Sequence, residues 1–574
     1  MDYEAVIIGT GFGGAITACR LGKKWKDKVL VLERGKRYPK GSFPRSPEEW
    51  SRSFWNRKVE KINRPKSMRK KESHGFFDIR SYNNMDIVLS AGVGGGSLIY
   101  ANIFMEPPQD VFAEGWPKGI SLQSLQPYYQ IVKRVLGSRP VPAQNEPRRK
   151  ISKLKYFQDT AKKMGMDSKL ADLNVFFGND FDNPTPIGVQ EKNRFGALQT
   201  SCTYCAECDI GCNIHAKNTL DLNYLFVAEQ DHKVKLLTEH LVYKIVPLNA
   251  SGSEDPSADG QHGYIVYIED LRTNEHKSVK TQRVVVSAGT LGTNELLMRC
   301  KYKYKTLCKI SDKIGQNFSG NGDFLSAIFN TNTEVNPTYG PVITQRIDHK
   351  LFSNFDRNQA FIMEDASYPS ILAWFVEGEK PGFMKISGLL NALKHLVSRL
   401  INAVFSGRGL SVGRMGFAFA DLLKNNLSQR TSIHLCMGID KSNGIMSLGD
   451  DGKLQINWPY KDSMPLYKAI NKLGKKFQSE VNGECYVPLP TWNLKRNVSV
   501  HPLGGCILSD TPETGVCNTD PNYFGELYNY RNLFAADGSI VPTAVGANPT
   551  ATISALCEKV AEGITKIPPT DELK

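Results

Sequence analysis

Four groups of residues in this chain have the types and spacing to do chemistry. His501-Pro502-Leu503-Gly504-Gly505-Cys506 sets an imidazole beside glycines. An imidazole can bond a hydroxyl and move its proton near neutral pH. Gly546-Ala547-Asn548-Pro549-Thr550 leads into a helix-like run, Ala551 to Lys566. There Asn548 suits the N-cap and Pro549 the first helical position. The helix dipole beyond them favours negative charge at that end. Glu364 closes the apolar run Phe361-Ile362-Met363-Glu364. A carboxylate in an apolar strand has a raised pKa, which suits a base, although an ordinary strand-face Glu reads the same way. Cys202, Cys205, Cys208 and Cys212 form C-x2-C-x2-C-x3-C, the bacterial ferredoxin run with Asn213 where Pro usually follows. Three readings stay open for it: iron–sulfur ligation, structural zinc, or a loop of inert thiols.

These groups need elements to hold them. Ala5-Val6-Ile7-Ile8 reads as a buried parallel strand, followed by Gly9-Thr10-Gly11-Phe12-Gly13-Gly14 and a helix over Ala15 to Leu21. A second strand, Lys28 to Leu32, ends at Glu33. Strand, glycine turn, helix, second strand and an acid about twenty residues on make the full dinucleotide fingerprint. In it Gly9, Gly11, Phe12, Gly13 and Gly14 bring backbone amides to a pyrophosphate, and Glu33 binds the ribose hydroxyls. A second glycine cluster, Gly92, Gly94, Gly95 and Gly96 with Ser97, is anchored by apolar flanks on both sides. Its glycine density marks close backbone approach. Arg283 to Gly289 is a further buried strand ending in glycine, with a helix from Asn294. Leu533 to Ala536 leads into Asp537-Gly538.

The pair H-P-L-G-G-C and G-A-N-P-T-A-T-I-S-A-L resembles the C-terminal signature of the glucose–methanol–choline (GMC) oxidoreductases, in their cholesterol oxidase-like branch. The resemblance implies an α/β fold: an FAD-binding Rossmann-type domain interleaved with an α+β substrate-binding domain built on an antiparallel sheet. It implies that residues 1–110, 216–323 and 501–574 build the FAD-binding part, and residues 111–215 and 324–500 the substrate part. It implies FAD rather than NAD, with the flavin ring along the Gly92–Ser97 segment. Backbone at Val242 would meet the adenine, and Gly289, Asp537, Gly538 and Asn548 would contact the cofactor. His501 and Asn548 would hold the substrate hydroxyl, a role for Asn548 that competes with its N-cap reading. Glu364 would move a proton within a steroid, converting a 5-ene to a 4-ene ketone. The implied activity is oxidation of a sterol or similar apolar alcohol, with oxygen as acceptor. Two alternatives remain: a dehydrogenase passing electrons through a cysteine-held iron–sulfur site to another acceptor, and a flavin-containing lipid-binding protein without turnover.

Composition narrows the partners. The chain has 574 residues and a formal net charge of +14, so it is attracted to anionic surfaces. No aromatic-basic recognition module or zinc-finger spacing supports nucleic acid. An anionic membrane leaflet suits a lipid substrate better. From Ile386 to Phe405 apolar residues recur at helical spacing among Lys385, Lys394 and Arg399, with Arg408 just beyond. That run reads either as a core helix or as a surface that docks on a bilayer. No targeting segment or long apolar run stands out, so a cytoplasmic location with peripheral membrane contact is expected. Twelve cysteines without a disulfide-type pattern fit a reducing compartment.

Overall fold

The computed structural model describes residues 1–56, 73–142, 151–373, 427–488 and 495–574. The amphipathic run Lys385–Arg408 lies outside the described residues. Within them two sheets carry the architecture. In the first, the strand Tyr3–Ile8 pairs parallel with Val29–Leu32 and with the end of the long strand Glu275–Val286. Lys235–Leu237 and Leu533–Ala535 extend this parallel part on its two sides. Ala5, Val6, Ile7 and Val284 to Val286 are fully buried, as strands covered on both faces must be. The first half of Glu275–Val286 leaves the parallel part and pairs antiparallel with Tyr264–Asp270, which pairs in turn with His240–Pro247. One strand thus belongs to both a parallel nucleotide-type sheet and an antiparallel meander.

The second sheet is antiparallel throughout, in the order Cys485–Val487, Phe324–Phe329, Ser432–Gly438, Phe361–Ala366, Gln345–His349, Ser168–Leu170. Every residue of Phe361–Ala366 is buried, Glu364 included. The fold is the expected α/β arrangement with an antiparallel sheet beside the nucleotide-type one.

Two helices matter for the site. Phe12–Trp25 follows the first strand, and Thr550–Thr565 packs against it. Arg20 joins them through a buried ion pair, Nε to Glu558 Oε2 at 2.7 Å and Nη2 to Oε1 at 2.8 Å. Tyr224 donates its hydroxyl to the same carboxylate at 2.7 Å. Removing one partner from such a pair leaves an uncompensated buried charge and costs about 3–5 kcal/mol. The pair therefore fixes the relative placement of two helix N-termini.

Two local expectations are corrected. The helix after Arg283–Val286 starts at Gly289, five residues before Asn294, because Gly289 takes the left-handed turn at φ +75° that lets the chain enter it directly. The final helix is capped at Pro549, with no side-chain cap, so Asn548 is not the N-cap residue.

Candidate functional site

The glycine turn after the first strand is shaped by contact and leaves an opening. A Cβ on Gly13 would meet Ala536 O at 1.6 Å, and one on Gly14 would meet Gly9 O at 2.0 Å. A Cβ on Gly11, in contrast, would meet nothing within 4 Å. Gly96 and Gly289 are open in the same way, while Gly95 packs its own missing Cβ against Gly11 Cα at 2.6 Å. The two glycine clusters therefore touch, and between them the backbone faces free space. The helix Phe12–Trp25 begins at Gly11 without a side-chain cap, so its first amides remain available to an anion. Phe12 itself lies edge-on to Tyr100, ring centroids 5.6 Å apart.

Glu33 sits at the end of the second strand, fully in the interior. Its Oε2 accepts from Thr10 Oγ1 at 2.6 Å and Thr10 N at 3.1 Å, and its Oε1 accepts from Gly35 N at 2.8 Å. Burial pushes its pKa up, and those donors pull it back. A carboxylate has about four acceptor positions, so one remains for a ribose hydroxyl. Thr10 also accepts from Gly94 N at 3.2 Å and thereby ties the two glycine segments together. Ser97 spends its hydroxyl within the protein, donating to Gly94 O at 2.7 Å and accepting from Leu220 N at 3.2 Å. Val242 is buried in the meander, opposite Ile268. Asp537 accepts from Ser539 N at 2.8 Å and Thr293 Oγ1 at 2.5 Å, and burial raises its pKa. Gly538 follows it in a short turn, Gly538–Ile540.

His501, Asn548 and Glu364 are placed by different parts of the chain. His501 Nδ1 bonds Asp323 Oδ1 at 2.8 Å. Asp323 Oδ2 also accepts from Val500 N at 2.8 Å, His501 N at 3.2 Å and Ser499 Oγ at 3.1 Å. With Nδ1 donating to the carboxylate, Nε2 is the nitrogen left with a lone pair. Asn548, buried, donates from Nδ2 to Glu364 Oε2 at 3.5 Å and to Met437 Sδ at 3.4 Å. Its Oδ1 and Glu364 Oε1 are both buried without a partner. Burial pushes Glu364 up to about 8, with the Asn548 contact pulling slightly the other way. Buried oxygens without a protein partner are available to a group or water from outside the protein.

Asp323 and its neighbour Asn321 are the residues that sequence reasoning missed. Asn321 Nδ2 donates to Ala547 O at 2.7 Å, and its Oδ1 accepts from Val545 N at 3.0 Å and Gly546 N at 3.3 Å. The turn Asn321-Gly322-Asp323 thus holds the Asn548 loop with one side chain and His501 with the other. Gly322 makes the turn possible: its φ is +63°, and a Cβ there would meet Gly438 O at 2.5 Å. Asp440 holds the turn from behind, accepting from Gly320 N at 3.1 Å and Gly322 N at 3.0 Å. An N-G-D triplet signals a turn and nothing more, so no spacing rule points to these roles.

The four cysteines of the C-x2-C-x2-C-x3-C run border one cavity with Val175 and Pro341. Among the described residues, no three His, Cys, Asp or Glu are already arranged around a metal position. A separate cavity bordered by Met105, Lys133, Asp172 and Arg346 contains none of His501, Asn548 or Glu364. No helix among the described residues is long and apolar enough to cross a membrane.

An open dinucleotide cradle beside a histidine–carboxylate pair and two unpartnered buried oxygens defines a dinucleotide-dependent oxidoreductase. Comparison with known proteins gives the family. The GMC oxidoreductase family matches over residues 3–320 with its N-terminal part and over residues 473–557 with its C-terminal part. The chain belongs to the GMC oxidoreductases, and it is an FAD-dependent oxidoreductase acting on CH–OH groups. It is 27% identical to a cholesterol oxidase of Acinetobacter baumannii, over 97% of this chain and 93% of that one. It is also 27% identical to a cholesterol oxidase of Mycobacterium tuberculosis, over 98% of this chain and 90% of that one. A long-chain-alcohol oxidase of Arabidopsis thaliana is 22% identical over 96% of this chain and 65% of its own length. Among solved structures, a pyridoxine 4-oxidase from Mesorbium loti shares the fold with a TM-score of 0.60 at 14% identity, covering 98% of each chain.

The residues fit FAD. Three open glycine positions, an uncapped helix N-terminus and Glu33 form the nucleotide end of the cradle. The uncapped start of Thr550–Thr565 gives the flavin end a second set of free amides.

Proposed function

We propose that this enzyme oxidises the hydroxyl of a sterol or a similar apolar alcohol to a ketone and then shifts the ring double bond from the 5-ene to the 4-ene position. The observation that carries the reading is Glu364, a buried carboxyl with one oxygen unpartnered, bonded through its other oxygen to Asn548. FAD, when bound, supplies the chemistry of accepting a hydride from the carbinol carbon. His501 Nε2 takes the hydroxyl proton, with Asp323 stabilising the imidazolium through Nδ1. Asn548 Oδ1, unpartnered in the protein, orients the hydroxyl. Glu364, deprotonated, removes a proton next to the new carbonyl and returns it at the far end of the displaced double bond, so no atom is lost. An apolar, buried setting suits that step, because it makes the carboxylate a stronger base than an ordinary Glu. The similarity to two cholesterol oxidases across nearly the full chain supports the sterol, as does the long-chain-alcohol oxidase for apolar alcohols in general. Oxygen or another acceptor then takes the electrons.

The test is anaerobic mixing of the FAD-loaded enzyme with cholesterol and, separately, with a long-chain primary alcohol. Rapid bleaching of the flavin by cholesterol, with a product that absorbs as a conjugated enone, is expected. Bleaching by the primary alcohol alone would overturn the sterol reading. Peroxide formation on admitting air identifies oxygen as the acceptor.

A further inference from the structure

The four-cysteine loop is unused by the alcohol chemistry, and its surroundings carry more than thiols. Cys202, Cys205, Cys208 and Cys212 all border the same enclosed space, closed on its other sides by Val175 and Pro341. The backbone is bent around it at a cost. Tyr204 and Ala206 both lie in the left-handed region, at φ 60° and 57°. For residues with a Cβ such conformations cost on the order of 1 kcal/mol or more and persist only where the surroundings impose them. The loop is clamped in place: Ala206 N donates to Gly340 O at 3.1 Å, and Gly340 N to Tyr204 O at 2.8 Å. Two backbone amides are aimed at sulfur, Tyr204 N to Cys202 Sγ at 3.4 Å and Ala216 N to Cys212 Sγ at 3.3 Å.

The charge pattern points the same way. Lys217 is buried, and its Nζ donates to three neutral carbonyls: Leu98 O at 3.0 Å, Tyr100 O at 2.9 Å and Cys208 O at 2.6 Å. Among the described residues no carboxylate lies within ion-pair distance of it. The buried Asp209 carboxyl attracts it across a longer distance, and burying an ammonium that is not directly ion-paired is expensive. Arg45 embraces the loop from the other side, donating to Ile210 O at 3.3 Å and Gly211 O at 2.5 Å while pairing with Glu207 at 2.9 Å. Neutral thiols add nothing to the attraction that Asp209 gives the Lys217 ammonium. Four thiolates on a divalent ion carry a net charge of about −2 and would strengthen it.

We propose that Cys202, Cys205, Cys208 and Cys212 hold a thiophilic metal centre, tied by Lys217 to Leu98 and Tyr100, which directly follow the Gly92–Ser97 segment. Each thiol gives its proton to solvent as its sulfur binds; with zinc nothing is oxidised or reduced, and for an iron–sulfur centre the ferric iron of the core is supplied as Fe3+ beside Fe2+. The shared chemistry is four thiolates on a soft or borderline cation, and two sources satisfy it: a single zinc ion, or iron with inorganic sulfide. The four sulfurs are spread around the cavity rather than gathered about one point, so binding must turn them inward within a loop whose backbone is already curled.

The experiment uses the full FAD-loaded protein, purified without oxygen, freed of loose metal by brief chelation and reconstituted with Zn2+ or with Fe2+, Fe3+ and sulfide. Zinc, iron and acid-labile sulfide are then counted against FAD. About one zinc per FAD, or iron with a matching amount of sulfide, is expected, and which of them is found names the occupant. The double variant Cys205→Ser, Cys208→Ser is expected to lose the metal while FAD content stays at the wild-type level. Should that variant fail to fold, a mercurial titration of the wild-type protein replaces it, with released metal read by a coloured chelator. Metal release in step with thiol modification supports the site. FAD-loaded protein that takes up no metal on reconstitution overturns the proposal, as does metal that survives the double substitution or full thiol modification.

Discussion

Asp323→Asn is the substitution that tests the site most sharply. The Asp323 carboxylate accepts from two backbone amides and a serine hydroxyl with Oδ2, and faces His501 Nδ1 with Oδ1. A carboxamide oxygen can take over the first three bonds. Its NH2 then faces Nδ1, which must give up its proton and accept. The imidazole is driven into the other tautomer, with the proton on Nε2, and can no longer take the substrate proton. Losing the charge-assisted bond alone is worth about 1.5–3 kcal/mol, which is roughly 10- to 150-fold in rate. The wrong tautomer adds to that, and in a serine protease triad the same exchange costs about 10⁴-fold. Flavin reduction by substrate under anaerobic stopped flow is therefore expected to slow by roughly 10²–10⁴-fold, with substrate affinity and FAD content little changed. Asp323→Ala separates position from charge: it strips acceptors from buried donors at about 1–3 kcal/mol each and should lower the melting temperature, which Asp323→Asn should not. A reduction rate unchanged by Asp323→Asn refutes the tautomer argument. A collapse of FAD content in that variant refutes the claim that the carboxamide preserves the turn.

Other outcomes follow from the same geometry. Glu364 is raised to about 8 in the folded protein, so the isomerisation step should gain rate as pH rises through about 8, and Glu364→Gln should abolish it while oxidation continues; product analysis by ultraviolet absorbance reads both. The same shift has a stability sign. The unfolded chain loses the Glu364 proton near its ordinary value and the folded chain only near 8, so this residue destabilises the fold progressively as pH rises between those values. The melting temperature of Glu364→Gln relative to wild type should therefore climb over that window, and a constant difference would contradict the burial argument. Gly11→Ala places a methyl group in the open cradle and should weaken FAD binding about tenfold or more with the fold intact, whereas Gly13→Ala drives a Cβ into Ala536 O and should not fold; fluorescence titration of the apoprotein and circular dichroism distinguish them. From the sequence alone, the basic apolar run Lys385–Arg408 predicts that reversing charge at Lys394 and Arg399 reduces binding to anionic vesicles, measured by co-sedimentation at low and high salt.

The nucleotide half of the fold was legible because its physics is local. Buried parallel strands show as apolar runs, and Gly9 to Gly14 make the tight turn between the first strand and its helix, so spacing alone reveals them. The antiparallel sheet was half legible: the strand carrying Glu364 could be read, but the edge strands Ser168–Leu170 and Cys485–Val487 come from remote parts of the chain. The N-cap reading of Asn548 failed for an instructive reason. Asn before Pro before a helix is a good capping sequence, and local energetics favours that use. The structure instead starts the helix after Pro549 and turns Asn548 toward Glu364, across 184 residues of sequence. Asp323 was invisible for the same reason, since its partner lies 178 residues away. Tertiary contacts overrode local preference where the site is built.

That override has a chemical logic. The proposed reaction needs one base for a hydroxyl proton and a second for a carbon-bound proton, and the two must not share an environment. His501 is half-buried and paired with a carboxylate, so its charged form is supported when it forms. Glu364 is fully buried, with a carboxamide and a thioether nearby and no hydrogen-bonded cation, so its charged form is disfavoured and correspondingly basic. Arg346 pairs with it in strand register and attracts it, yet burial outweighs that attraction. The Asn321–Asp323 turn holds the imidazole and the Asn548 loop at once, so movement of one base relative to the other requires breaking bonds to a single bracket. Asn321→Ala should therefore disturb both steps together, whereas Glu364→Gln disturbs only the second. Loss of isomerisation alone in Asn321→Ala would show that the two bases are positioned independently.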